Sequence, residues 1–296
     1  MSDDPNKEKT WRLLAVTVSR EAEELASSLL FEMKINGILT LEEAPASVKL
    51  GAYFDERADL ARIGEEIESK LAARGQGHAL LDVSVSTVAD QDWMRKWKEG
   101  FEAAPVGERL IISPSWKLPE ETFGREVIEI DPGMAFGTGT HETTRLCLEA
   151  IERHWRGGKM IDVGTGTGIL AIAAAKLAPG SRISAIDVDP LAVEAARANA
   201  AINGVEAALE ISEGQPRAFR GGAFDVVVAN LTAEVIVDLF DDLSACLAPS
   251  GSMVLSGILT TLRNDVEARA ARSGLAIVER REAGEWSALV ARREGE

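Results

Sequence analysis

Three glycines at alternate positions mark the part of this sequence best suited to chemistry. The stretch Met160-Ile-Asp-Val-Gly164-Thr-Gly166-Thr-Gly168-Ile-Leu-Ala-Ile172 is an apolar strand that runs into Gly-x-Gly-x-Gly and then into an alanine-rich helix. Glycines there remove Cβ atoms from a sharp turn and let backbone N–H groups close on a bound molecule. The third glycine comes one residue earlier than in the dinucleotide fingerprint Gly-x-Gly-x-x-Gly, which disfavours NAD. Nineteen residues after Gly168, the strand Arg182–Asp187 ends in a carboxylate. At that place the second strand of a doubly wound fold accepts two hydrogen bonds from a ribose diol. The ligand most consistent with this pattern is S-adenosylmethionine, which has ribose hydroxyls and a zwitterionic methionine tail but no pyrophosphate. Loop amides and a helix N-terminus can receive its carboxylate. The bland alternative is a tight turn with no ligand, and Asp187 as cap of the helix at Pro190; Asp189 is the better placed cap.

Two further segments belong with this loop. Asp131-Pro-Gly-Met-Ala-Phe136-Gly-Thr-Gly-Thr140-His141-Glu142-Thr143-Thr144 is a Gly/Thr-rich loop with one phenyl ring, ahead of a helix. Thr144, Thr140 and His141 are placed to meet the methionine end of the cofactor, and Phe136 to line the adenosine or methyl-transfer pocket. The competing reading is a helix entry capped by Thr140, with Glu142 or Thr143 in its first turn. His141 suits a helix-entry hydrogen bond as well as it suits a base. The strand Phe224–Ala229 ends in Asn230. Carboxyl ends of parallel strands form the binding crevice, so Asn230 is expected to face the cofactor and the incoming nucleophile, as the one catalytic candidate.

These residues need a scaffold, and the periodicity supplies one. Strand-like 11–18, helical 20–34, strand-like 38–42 and 48–54, helical 56–73 and strand-like 79–88 follow in the order β-α-β-β-α-β, which predicts a small N-terminal α+β domain of ferredoxin-like type over 1–89. Residues 90–125, with Trp93 and Trp97 four apart and Pro105, Pro114 and Pro119 beyond, are expected as a linker helix and an extended linker. From 126 to 296 strands and helices alternate. Strands are expected at 127–130, 159–163, 182–187, 207–211, 224–229, 251–256, 275–280 and 285–292, and helices at 140–154, 168–178, 190–202, 232–246 and 260–273. That order calls for an α/β domain with a doubly wound parallel sheet and a final antiparallel hairpin.

Composition narrows the partners. The 296 residues carry a net charge of −16, shared as −6 over residues 1–89 and −10 over the rest. This argues against a polyanion and for a basic partner, with no direct nucleic-acid contact expected. The first ten residues lack a secretory pattern, and no apolar run approaches the ~20 residues that span a bilayer. A cytoplasmic protein with no membrane contact is expected. Cys147 and Cys246 lie in helical patterns without a second Cys or His nearby at metal spacing, so they are expected as reduced core thiols, with no metal site.

Taken together, the Asp131–Thr144 block, Asp162-Val-Gly-Thr-Gly-Thr-Gly168-Ile-Leu-Ala, Ile186-Asp-Val-Asp-Pro190 and Val226-Val-Val-Ala-Asn230-Leu resemble the bacterial ribosomal protein L-eleven methyltransferase family over nearly the full length. The resemblance implies a Rossmann-like class I methyltransferase domain and S-adenosylmethionine as cofactor, with cofactor contacts at Thr144, Gly164, Asp187 and Asn230. It also implies a monomer acting on lysine side-chain and N-terminal amines of the large-subunit stalk-base ribosomal protein, recognised by the small N-terminal domain. Glu142 departs from the proline frequent there in related sequences. Asn230-Leu-Thr-Ala differs from the Asn-Pro-Pro-aromatic of enzymes acting on planar amides or base amines, which favours an aliphatic amine. An RNA or small-molecule methyltransferase, and a non-catalytic cofactor-binding assembly factor of the ribosome, remain as rivals.

Overall fold

The computed structural model describes residues 10–33, 37–54, 58–89, 102–131 and 141–293. The chain divides into two compact units, Met1–Phe101 and Glu102–Glu296.

In the first unit, β1 (Thr10–Ser19), α1 (Glu23–Glu32), β2 (Gly37–Glu43), β3 (Ser47–Phe54), α2 (Leu60–Ala73) and β4 (Leu80–Ala89) follow in the expected order. The sheet runs β2-β3-β1-β4, with every neighbouring pair antiparallel. Alternation decides which residues meet the helices. Leu14, Val16 and Val18 of β1 share one buried cluster with Leu29 and Leu30 of α1 and with Leu60, Ile67 and Leu71 of α2. The α2 residues recur at helical spacing, and Asp59 caps the helix by accepting from the Arg62 N–H at 3.3 Å.

The second unit opens with a small sheet of β5 (Ala104–Val106), β6 (Leu110–Ser113) and β7 (Glu126–Glu129), antiparallel then parallel. Residues 104–106 and 110–113, which the prolines assign to an extended linker, are strands instead. The runs are short, the first contains a proline, and the pairing of the second with β7 is set by partners more than a dozen residues away. The expected linker helix, with Trp93 and Trp97, lies outside the described residues.

The main sheet holds β8 (Lys159–Val163), β9 (Arg182–Asp187), β10 (Leu209–Glu213), β11 (Phe224–Asn230), β12 (Leu247–Leu259), β13 (Leu275–Ala283) and β14 (Trp286–Arg293) in the order β10-β9-β8-β11-β12-β14-β13. The first five are parallel, and β14 inserts antiparallel between β12 and β13. Helices α3 (Glu142–His154), α4 (Ile169–Leu177), α5 (Pro190–Ile202), α6 (Ala233–Cys246) and α7 (Arg263–Arg272) complete the doubly wound pattern. Met160, Val226, Val228 and Val254 bury one face under Cys147, Leu148 and Ile151 of α3 and the almost wholly buried α4. Ile161, Val163, Val227, Ala229 and Leu255 bury the other under Ile236, Phe240 and Leu243 of α6 and Val266 of α7. The order reverses at β8: β9 and β10 lie to one side, β11 and β12 to the other. That reversal opens a crevice at the carboxyl ends of β8 and β11.

Candidate functional site

Strand register brings the predicted residues together. Val163 of β8 pairs with Ile186 of β9 and with Ala229 of β11. Gly164, Asp187 and Asn230 are therefore the next residues on three adjacent strands, at one level of the same sheet end. Parallel strands lie about 4.8 Å apart, so one small molecule can touch all three.

Backbone hydrogen bonds hold the glycine loop. The Gly164 and Thr165 N–H groups both donate to Ile186 O, at 2.9 and 3.0 Å, and the Gly168 N–H donates to Thr165 O at 2.9 Å. Gly164, Gly166 and Gly168 take φ of 73°, 54° and 82°. Gly168 also permits a close crossing of α5, since a Cβ there would stand 3.1 Å from the Ala196 Cβ. Asp187 ties loop to strand: one carboxylate oxygen accepts from the Gly166 N–H at 3.0 Å, the other from the Asp189 N–H at 3.0 Å. The cap of α5 is Asp189, which accepts from the Leu191 N–H at 2.9 Å with Pro190 at the first helical position.

Beneath the loop sits an acid that the glycine pattern does not single out. Asp162 is fully buried; its Oδ2 accepts from the Thr165 hydroxyl at 2.7 Å and its Oδ1 has no partner. Burial pushes this carboxyl up to about 7; the Thr165 hydrogen bond offsets part of that, and the charge of Asp187 adds to it. Its signal in the sequence is a charged residue inside an otherwise apolar strand, two positions before Gly164.

On the other side of β8, the Asn230 Nδ2 reaches the Thr144 Oγ1 at 3.4 Å, and the Asn230 Oδ1 is buried without a partner. Thr144 is fully buried in the first turn of α3. The cap of that helix is His141, not Thr140: its Nδ1 accepts from the Thr143 N–H at 3.3 Å and lies 2.8 Å from the Thr143 hydroxyl. A ring nitrogen that accepts from an amide is unprotonated, which places the proton of the neutral ring on Nε2. Burial lowers the pKa of His141, and its ring meets Trp286 edge-on at 5.2 Å between centroids. Phe136 and Thr140 lie outside the described residues.

Away from these residues, a cleft of about 730 Å³ is lined by Arg109, Glu152, Arg153, Arg156 and Leu177 among others. It lies by the C-terminal ends of α3 and α4, at the far end of α4 from the glycine loop, and contains none of the motif residues. Among the described residues no group of three or more His, Cys, Asp or Glu is placed to hold a metal ion, and no helix is long and apolar enough to cross a membrane.

This strand order, with a glycine loop, a strand-terminal aspartate and an asparagine on adjacent strand ends, defines the Rossmann-like class I methyltransferase fold. The chain belongs to the ribosomal protein L11 methyltransferase family, whose profile matches residues 10–294. A ribosomal protein L11 methyltransferase of Geobacter sulfurreducens is 42% identical over 303 residues, covering 97% of this chain and 100% of the relative. One of Pelotomaculum thermopropionicum is 43% identical over 229 residues, 77% of this chain and 74% of its own. The crystal structure of a ribosomal protein L11 methylase from Lactobacillus delbrueckii subsp. bulgaricus superposes with a TM-score of 0.58 at 34% identity, over 65% of this chain and 99% of that one.

Proposed function

We propose that this protein is an S-adenosylmethionine-dependent N-methyltransferase that modifies lysine side-chain and N-terminal amines of ribosomal protein L11. The observation that carries this reading is the alignment of Gly164, Asp187 and Asn230 on adjacent strand ends, with the Asn230 Oδ1 buried and unpaired. The residues suit the cofactor. Asp187 uses two of its roughly four lone-pair directions on Gly166 and Asp189, which leaves the others for a ribose diol. The bare Cα atoms of the loop admit a ligand against the backbone, and Thr144 with the first turn of α3 is placed for the methionine end.

When bound, the cofactor supplies a sulfonium methyl group for in-line displacement by an amine. The protein supplies position, which for well-oriented reactants lowers a barrier by about 7–11 kcal/mol. A lysine amine has an ordinary pKa of about 10.4 and attacks only when neutral, so the site must desolvate it and hold its lone pair toward the methyl group. The Asn230 Oδ1 is the acceptor available to orient an amine N–H. Its Nδ2 is engaged by Thr144, which leaves the buried oxygen without a partner of its own.

In this reading residues 1–89 recognise the protein substrate, and the unit Glu102–Glu296, which takes in the strands at 104–106 and 110–113 first expected as linker, carries out methyl transfer. The monomer works in the cytoplasm without direct nucleic-acid contact, and the charge of −16 steers a basic partner. Incubation with labelled cofactor and purified L11, followed by mass spectrometry, tests the activity; labelled lysine and N-terminal peptides are expected. Tight cofactor binding with no labelled protein would favour a non-catalytic assembly factor. A chain that begins near Asp90 should bind cofactor yet fail to methylate. Methylation by the full chain should slow as salt shortens the Debye length toward and below ~8 Å.

A further inference from the structure

Leu231 follows Asn230 directly and is gripped from two sides by glycines. A Cβ on Gly164 would stand 2.5 Å from Leu231 Cδ2, and one on Gly257 would stand 2.8 Å from the Leu231 carbonyl carbon and closer still to its oxygen. Both glycines have left-handed backbones, with φ of 73° and 84°, so each place requires both the missing Cβ and the positive φ. The Leu231 N–H donates to Ser256 O at 3.0 Å, and Ser256 is the strand partner of Asn230. Leu231 is thus held at its amide by β12, at its carbonyl by Gly257 and at its side chain by Gly164. The Asn230 carboxamide, by contrast, has one side-chain contact at 3.4 Å and an unpaired oxygen. Its own hydrogen bonding does not fix its aim.

We infer that Leu231 and Gly257 are positioning residues for methyl transfer: the leucine, wedged between Gly164 and Gly257, sets the Asn230 carboxamide relative to the glycine loop. This rests on the role proposed above for Asn230. The wedge joins the two sides of the crevice, since its side chain touches the first loop glycine and its backbone continues from Asn230. The loop does not depend on the wedge in return, because the two N–H groups on Ile186 O hold it. Shortening Leu231 therefore loosens the acceptor side and spares the cofactor side. A shift of about 1 Å near reacting atoms costs on the order of 100-fold in rate.

Methylation kinetics and cofactor calorimetry on full-length Leu231→Ala, Leu231→Met, Asn230→Ala and the double variant test the wedge. Leu231→Ala should lower kcat about 10- to 100-fold while cofactor Kd stays within about 3-fold. Leu231→Met, which refills the gap, should return to within about 3-fold of the parent. The double variant should be no slower than Asn230→Ala, because the wedge acts through that residue. Additive losses, or Leu231→Ala at the parent rate, would overturn the wedge; Asn230→Ala at the parent rate would overturn the role of Asn230 and the wedge with it. Gly257→Ala is compared with Gly274→Ala, where φ is 72° and nothing lies within 4 Å. Both carry the strain of a positive φ, but only the first presses on Leu231. A greater loss of kcat at Gly257, with a retained thermal transition, supports the wedge; equal kcat overturns it. Should Gly257→Ala not fold, the Leu231 series decides.

Discussion

The two sides of the strand-end crevice are built differently. On the β8–β9 side, amides of Gly164, Thr165, Gly166 and Gly168 all have protein acceptors, and the Asp187 carboxylate already holds two N–H groups. On the β11 side, Asn230 and Thr144 share one 3.4 Å contact, and packing around Leu231 does the rest. The first side is held by its own hydrogen bonds, as the proposed reading requires of a site for a small cofactor. The second leaves one buried oxygen, the Asn230 Oδ1, without a partner, and the proposed reading gives it to the incoming amine. Binding and turnover should therefore separate under mutation.

The strongest break is expected at Gly166→Val. A β-branched residue at φ 54° is strained, and the shift would withdraw the amide bonded to Asp187. Cofactor binding should vanish from calorimetry while circular dichroism keeps its helical signal. Global unfolding would reduce the loop to a structural turn.

Next comes Asp187→Ala, which removes the charge-assisted ribose bonds of the proposed reading and should weaken cofactor binding by on the order of 2–3 kcal/mol, or about 30- to 150-fold. The rate at saturating cofactor should change far less. An unchanged Kd in a folded variant would take Asp187 out of the site.

A smaller effect is expected where α3 begins. His141→Ala removes the cap and should cost about 1 kcal/mol, whereas His141→Asn supplies another capping side chain. Because burial holds the His141 pKa below its ordinary 6.5, the stability carried by the neutral ring is complete above pH 6.5 and is lost as pH falls below it. Thermal melts should show wild type falling behind His141→Asn on acidification; parallel curves would remove the histidine from this balance.

The finest distinction concerns Asp162. Its carboxyl is raised from 3.8 to about 7 by burial, so the fold favours the protonated form. Its contribution is complete below pH 3.8 and is lost as pH rises toward 7. Asp162→Asn keeps an acceptor for the Thr165 hydroxyl and cannot ionise. Its melting temperature should gain on wild type from pH 3.8 upward and stop gaining above about 7. A constant difference across that range would mean that Asp162 does not titrate there.

Much of this architecture is local in origin and legible in the order of residues. The spans 159–163, 182–187 and 190–202 coincide with β8, β9 and α5, because apolar period, Pro190 and the Asp189 cap act within a few residues. Shorter signals fail: β5 and β6 hide among prolines, and β12 runs from Leu247 to Leu259 where the pattern predicts 251–256, its start at Leu247 paired to Phe224.

By itself the sequence determined the glycine turn, the acid that ends the second strand, the order of strands and helices in the first unit and around the main sheet, and the family resemblance, since residue type, spacing and period are properties of the chain. Tertiary structure decided the rest. Only the pairing of Val163 with Ile186 and Ala229 puts Gly164, Asp187 and Asn230 on one level. Only folding joins Gly166 to Asp187, buries Asp162, and seats Leu231 between Gly164 and Gly257. Most of these contacts join residues some twenty to ninety positions apart, and where such residues meet depends on sheet register and helix packing across the whole domain, which no local pattern encodes.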